Sequence, residues 1–128
     1  MILTETLSQR IVATAHQYLG RPYDWKTFDC IHFILSVYKE CGIEVPRFGG
    51  AGYPPENFHL SAETFEIMPL GHSVFFKRKA NLKDRIWTHA AIIVSPHELV
   101  HCSRHFGECV TITPKPEFLE IYALAPKA

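Results

Sequence analysis

Apolar residues recur at helical spacing early in the chain and at strand spacing later. Leu7, Ile11, Val12, Ala15, Tyr18 and Leu19 share one face of a predicted helix over 4–19, with Thr4 as its N-cap and Gly20 as its end. The stretch Arg21-Pro22-Tyr23-Asp24-Trp25-Lys26-Thr27-Phe28 cannot continue that helix. Asp29 then stands where an N-cap belongs, before Ile31, Phe33, Ile34, Leu35, Val37, Tyr38 and Cys41. A second helix is expected from about Cys30 to Cys41, ending at Gly42. Its polar positions His32, Ser36, Lys39 and Glu40 form one stripe, so the element should be central and largely buried, with Cys30 on the buried side of its first turn.

From Pro46 to Pro69 the run Gly49-Gly50-Ala51-Gly52 and the pair Pro54-Pro55 predict a long ordered loop, with one helical turn after Ser61. Beyond Gly71 the pattern changes to short segments rich in Val, Ile, Phe and Thr. Strands are expected at 73–77, 88–94, 99–103, 110–113 and 119–124. Helices first and strands afterward predict an α+β fold, with N-terminal helices packed on a mostly antiparallel five-stranded sheet. At 128 residues the chain fits a single domain over 1–128 with a core of its own.

Composition narrows the function classes. With 47% hydrophobic and 20% charged residues the chain is an ordinary globular sequence. Thirteen basic and thirteen acidic side chains cancel, and the longest basic run is Lys77-Arg78-Lys79, so nucleic acid is not an expected partner. No apolar run approaches the ~18 residues of a membrane span, and the N-terminus lacks the pattern of a signal peptide. The expected location is cytoplasmic as synthesised. Four cysteines in that setting should be reduced thiols, with Cys102 and Cys109 the only pair able to meet across a hairpin.

A thiol at a helix N-terminus meets the positive end of the macrodipole and free backbone N–H groups, which favour a thiolate and can stabilise an oxyanion. Cys30 has that placement. Its partner should come from the packed sheet, and His89 is the polar residue heading the apolar run Ala90-Ala91-Ile92-Ile93-Val94. The turn Ser95-Pro96-His97-Glu98 would fold His101 back beside His89, where it could hold the second ring nitrogen. Taken alone, these residues are also what a core contains, since buried cysteines and strand histidines are mostly structural.

Ordered motifs add a resemblance. Gly20-Arg21-Pro22-Tyr23-Asp24-Trp25, Asp29-Cys30, Gly71-His72-Ser73-Val74-Phe75-Phe76, His89-Ala90-Ala91-Ile92-Ile93-Val94 and Val100-His101 resemble, in order and spacing, the NlpC family of papain-like cell-wall cysteine peptidases. The resemblance spans nearly the whole chain. It implies a papain-like fold without a cofactor or metal, Cys30 as nucleophile, His89 as general base and His101 as orienting residue. It further implies Tyr23 at the oxyanion site and Asp29 at the substrate end. The implied reaction is amide hydrolysis through a thioester, on γ-D-glutamyl bonds of peptidoglycan stem peptides, and the implied partner is a peptide or peptidoglycan fragment. This chain departs from the family where Ile31 and His32 replace Ser and Gly after the nucleophile, and where His72 replaces Asp.

Rival readings remain at this level. His97-Glu98-Leu99-Val100-His101 fits the zinc-hydrolase pattern if it lies on a helix, and His97, His101, Cys102, His105 and Cys109 offer ligands for a structural zinc site. The same fold could serve acyl transfer, or binding alone in a phage tail or secretion apparatus. Those settings would also carry a leaderless chain to the cell wall.

Overall fold

The computed structural model describes residues 3–45, 60–80 and 87–125. The Gly/Pro-rich stretch of the expected loop at 46–59 lies outside the described residues. Helix α1 spans Glu5–Gln17, and Thr4 caps it by accepting the Leu7 N–H at 3.1 Å. Helix α2 spans Cys30–Glu40, capped by Asp29, and buries Phe33, Ile34, Val37 and Tyr38. The helical turn expected after Ser61 is α3, Ala62–Glu66, with the Ser61 side chain accepting from the Thr64 N–H.

Strands β1 (Ser73–Arg78), β2 (His89–Ser95), β3 (Glu98–Ser103), β4 (Cys109–Pro114) and β5 (Tyr122–Leu124) form one sheet in the order β4-β3-β2-β1-β5. Every neighbouring pair is antiparallel. The last expected strand is corrected at its front half. Lys115–Ile121 is a helix, α4, and only Tyr122–Leu124 extends, along the β1 edge. Pro114 and Pro116 start that helix well because neither needs to donate a hydrogen bond in its first turn.

α1 and α2 cover one face of the sheet, where Ile11, Phe33, Val37, Phe75, Ala90, Ile92 and Val100 pack together. α4 and α3 cover the other, over Val74, Phe76, Ala91, Ile93, Leu99, Phe118 and Tyr122. Cover on both faces explains why six successive residues of β2, His89 to Val94, are buried rather than alternating. One glycine is required by this packing. Gly71 has φ +82°, and a Cβ there would lie 3.1 Å from Ser8 Cα. Its carbonyl accepts the Tyr38 hydroxyl at 2.9 Å and its N–H donates to Ile93 at 2.8 Å, joining α2 and the sheet at one point.

The cysteines are free. Register places Cys102 opposite Val110 and Ser103 opposite Cys109, so Cys102 and Cys109 point to opposite faces of the hairpin and cannot bridge.

Candidate active site

The loop between α1 and α2 is strapped to β4. Gly20 donates to Val110 and Val110 to Arg21, each at 2.9 Å, and Tyr23 donates to Glu108 at 2.8 Å. Within the loop, Asp24 and Phe28 exchange both backbone hydrogen bonds, and the Asp24 carboxylate accepts the N–H of Lys26 and Thr27. The Phe28 ring stacks on Tyr18, and the Arg21 guanidinium lies 3.8 Å over it. These contacts fix where the chain enters α2, and hence where Cys30 sits.

Asp29 holds that entry. Its Oδ1 accepts the N–H of Ile31 at 3.1 Å, the N–H of His32 at 2.9 Å and the His32 ring Nδ1 at 2.7 Å. His32, which had no visible partner in the sequence, thus pairs with Asp29 on the exposed side of the helix start. Cys30 points the other way and is 8% exposed. β2 and β3 pair from Ile92 opposite Val100 to Ser95 opposite Glu98, and the His89–Ala90 end of β2 lies beyond that ladder. There the Ala90 N–H is free to donate to the Cys30 sulfur. The thiol therefore contacts the backbone of the residue next to His89.

Its electrostatics reverse the expectation from helix position. Burial pushes the Cys30 thiol up to about 12, and the Asp29 carboxylate adds to the rise, against smaller opposing contributions from the Ala90 and Ile31 N–H groups. Burial is the larger cause, and the cap adds the second. Asp29 occupies the first-turn N–H groups of Ile31 and His32 and sets a negative charge beside the sulfur, so the positive helix end is largely neutralised before it reaches the thiol. Tyr23, half-buried, is raised by burial and then by the neighbouring Cys30 and Asp29.

On the sheet side His89 and His101 meet as the hairpin turn required. His89 Nε2 lies 2.8 Å from His101 Nδ1, and His101 Nε2 lies 2.8 Å from Thr113 Oγ1. All three residues are buried. Aromatic rings enclose the pair: Tyr122 stacks on His89 at 4.5 Å, and Phe118 and Phe106 pack edge-on against His101. The Tyr122 hydroxyl reaches across the sheet to Ser103 Oγ at 3.2 Å. Burial pushes His101 down to about 3, and pushes His89 well below the usual histidine range, with the His101 and His105 charges contributing. Both imidazoles are neutral at physiological pH.

Thr113, Phe118 and Tyr122 were not singled out by motif. A polar Thr at alternate spacing in the strand Val110-Thr111-Ile112-Thr113, and Phe118 and Tyr122 four residues apart, are the signals that point to them.

The zinc readings are corrected. Glu98 to His101 lie on β3, not on a helix, and Glu98 accepts from Ser95 Oγ. Both ring nitrogens of His101 are engaged, and Cys102 Sγ is buried against the Phe28 carbonyl at 3.6 Å. Among the described residues no three His, Cys, Asp or Glu side chains are grouped to hold a metal ion. No helix among them is long and apolar enough to cross a membrane.

No protein-family model matches the chain. A γ-D-glutamyl-L-lysine dipeptidyl-peptidase of Bacillus cereus is 29% identical over 120 residues, covering 88% of this chain and 34% of the relative. The probable endopeptidase p60 of Listeria seeligeri is 42% identical over 48 residues, covering 34% of this chain and 9% of the relative. This chain thus spans about a third of the Bacillus peptidase and about a tenth of the Listeria protein. Among solved structures, an NlpC/P60 family protein from Bacillus cereus superposes with TM-score 0.68 at 27% identity, over 94% of this chain and 39% of the other. NlpC2 from Trichomonas vaginalis superposes with TM-score 0.73 at 17% identity, over 97% of this chain and 47% of the other. Relatives and structural neighbours agree with the helix-then-sheet architecture: this chain has the NlpC/P60-family cell-wall peptidase fold.

Proposed function

We propose that the chain is a cysteine peptidase or amidase that hydrolyses γ-D-glutamyl amide bonds of the kind found in peptidoglycan stem peptides. The observation that carries this reading is the relay of His89, His101 and Thr113, at 2.8 Å for each link, in the strand position next to Ala90, whose N–H serves the Cys30 sulfur. The Bacillus relative's activity on a γ-D-glutamyl-L-lysine bond supports the substrate class.

The relay assigns protons. His89 Nε2 faces His101, so Nδ1 is the nitrogen left to act as base. A base at Nδ1 requires its own proton on Nε2, donating to His101 Nδ1. His101 then carries its proton on Nε2 and donates to the Thr113 hydroxyl oxygen. Thr113 is able to accept that proton and so completes the chain that leaves His89 Nδ1 free.

At rest the pair is a neutral thiol and a neutral imidazole, because burial disfavours charge on each. Proton transfer from sulfur to His89 accompanies attack of sulfur on the amide carbon, with the oxyanion facing the Tyr23 hydroxyl. The imidazolium then gives its proton to the departing amine as the C–N bond breaks, leaving a thioester. Water, deprotonated by His89, hydrolyses the thioester and restores the thiol. Asp29 lies at the substrate end, its carboxylate shared with His32.

The test is release of free amine from a γ-D-glutamyl-L-lysine peptide, measured with iodoacetamide-treated, chelator-treated and Cys30→Ala protein. Loss with the alkylator and with Cys30→Ala, and none with the chelator, is expected. Inhibition by the chelator alone, or undiminished turnover by Cys30→Ala, overturns the reading.

A further inference from the structure

The rings that enclose the His89–His101 pair differ in where they come from and how far they are buried. Phe118 on α4 and Tyr122 on β5 belong to the packed layer, at 0% and 1% exposed. Phe106 belongs to the turn between β3 and β4, over 104–108, and is half-buried between exposed neighbours. Its ring lies edge-on at 5.1 Å from the His101 ring, and stacks on Phe118 at 6.4 Å and on Tyr122 at 6.3 Å. His101 itself is 0% exposed. Phe106 thus stands between that imidazole and solvent, as the outermost ring of the wall. The turn is held at both ends. At the β3 end the His105 N–H donates to Ser103 Oγ at 3.0 Å, and that oxygen also meets the Tyr122 hydroxyl. At the β4 end Gly107 and Glu108 take φ of +76° and +55°, reversing the chain tightly, and the Glu108 carbonyl accepts the Tyr23 N–H at 2.8 Å. Phe106 is therefore placed by the same strap that places the loop leading into α2.

We propose that Phe106 is a positioning residue, whose ring is the cover that keeps water from the hydrogen bonds joining His89, His101 and Thr113. The cover stands on the packing alone; its effect on turnover rests on the hydrolase reading above. His101 spends Nδ1 on His89 and Nε2 on Thr113, so a water admitted at its edge competes for one of those two bonds. Water there also solvates an imidazolium, which burial otherwise disfavours. The ionisable groups around the pair are His105 and Arg104 on the same turn, Arg78 on β1, Tyr122 on β5 and Cys30 on α2. From α4 the pair meets Phe118, and from β4 the Thr113 hydroxyl. Exchanging one apolar side chain for another at 106 leaves every one of those charges in place. A change in the pair's titration then reads the entry of water.

NMR of the histidine ring nitrogens against pH tests the cover without turnover. In the unaltered chain the His89 and His101 rings, recognised by the coupling across their shared hydrogen bond, should stay neutral from about pH 8 to about pH 5. In Phe106→Ala the His101 ring should take up its proton within that window, a rise of roughly two units in its midpoint, and the coupling to His89 should weaken. Phe106→Leu keeps an apolar cover and should leave the pair neutral throughout. Phe65→Ala opens a hole in the same apolar layer, against Phe76 and away from the imidazoles, and should leave it neutral too. Phe106→Val makes a smaller opening and supplies the measure should Phe106→Ala fail to fold. An unmoved titration on opening position 106, full movement in Phe106→Leu, or equal movement in Phe65→Ala overturns the cover. For turnover, the fall in kcat/KM from about pH 8 to about pH 5.5 should deepen about tenfold in Phe106→Ala. A shifted titration in a chain that never turns over substrate removes the hydrolase reading alone, and turnover with an unmoved titration removes the cover alone.

Discussion

The thiol and the imidazole proposed as catalytic partners are held by different means. Cys30 is placed by backbone: a cap at Asp29, a loop strapped to β4, and the Ala90 N–H at the sulfur. His89 is placed by side chains, with His101 and Thr113 on one edge and the Tyr122 ring against its face. Backbone devices announce themselves in sequence as caps, glycines and prolines, whereas a ring enclosure depends on residues brought from distant strands. The difference also divides the electrostatics. The thiol is neutral through burial beside a carboxylate, the imidazoles through burial among aromatic rings.

The strongest test of this division removes one member from each side. Cys30→Ala and His89→Ala should each lower turnover by roughly 10⁴-fold or more, because the two act as a unit. Circular dichroism should show Cys30→Ala folded with native content. A large residual rate in either variant would mean that the two sides do not work together.

Acid should strain the sheet side first. A histidine whose folded pKa is depressed has its stability fully present above the unfolded value near 6.5 and loses it as pH falls toward the folded value, about 3 for His101. Each buried imidazole therefore steepens acid destabilisation by about 1.4 kcal/mol per pH unit below 6.5, and His89 and His101 together by about twice that. Urea unfolding between pH 4 and 7 measures the slope. A flat profile would show that neither ring is held neutral.

Thr113→Val leaves the His101 N–H without its acceptor and should cost about 1–3 kcal/mol in stability. It should also lower kcat about tenfold through loss of the hydrogen bond that orients His101 against His89, and Thr113→Ser should restore both. The smallest effect is expected at the cap. Asp29→Asn keeps an N-cap acceptor, so stability should change by less than about 1 kcal/mol. Removing the charge should shift iodoacetamide alkylation of Cys30 to lower pH, since the carboxylate helps hold that thiol up near 12. An unchanged alkylation profile would assign the raised thiol to burial alone.

Much of the fold was legible. Thr4 and Asp29 are the observed caps, both major helices begin where their apolar spacing begins, and the first four strands lie within a residue or so of their expected bounds. The exception was 115–121. In a helix of only seven residues, apolar positions such as Leu119 and Ile121 also fit a strand period, and the β-rich context favoured that period. The error concealed how His89 is held, because α4 carries Phe118 and sets the start of β5, where Tyr122 stacks on the ring. At Cys30 the placement was legible but the charge state was not. A cap residue signals a helix start, while the burial and the local carboxylate that reverse the expected pKa depend on the sheet packed against it.

The neutral, enclosed thiol also bears on how the protein survives oxidants. Peroxides attack the thiolate far faster than the thiol, and damage then proceeds through sulfenic to sulfinic acid. With its thiol pushed up by burial and only 8% exposed, Cys30 is shielded from that chemistry. Cys102 and Cys109, facing apart across their hairpin, cannot divert that chemistry into a local crosslink. On the proposed mechanism, nucleophilicity that arises only as a substrate engages His89 would leave the site chemically quiet between turnovers.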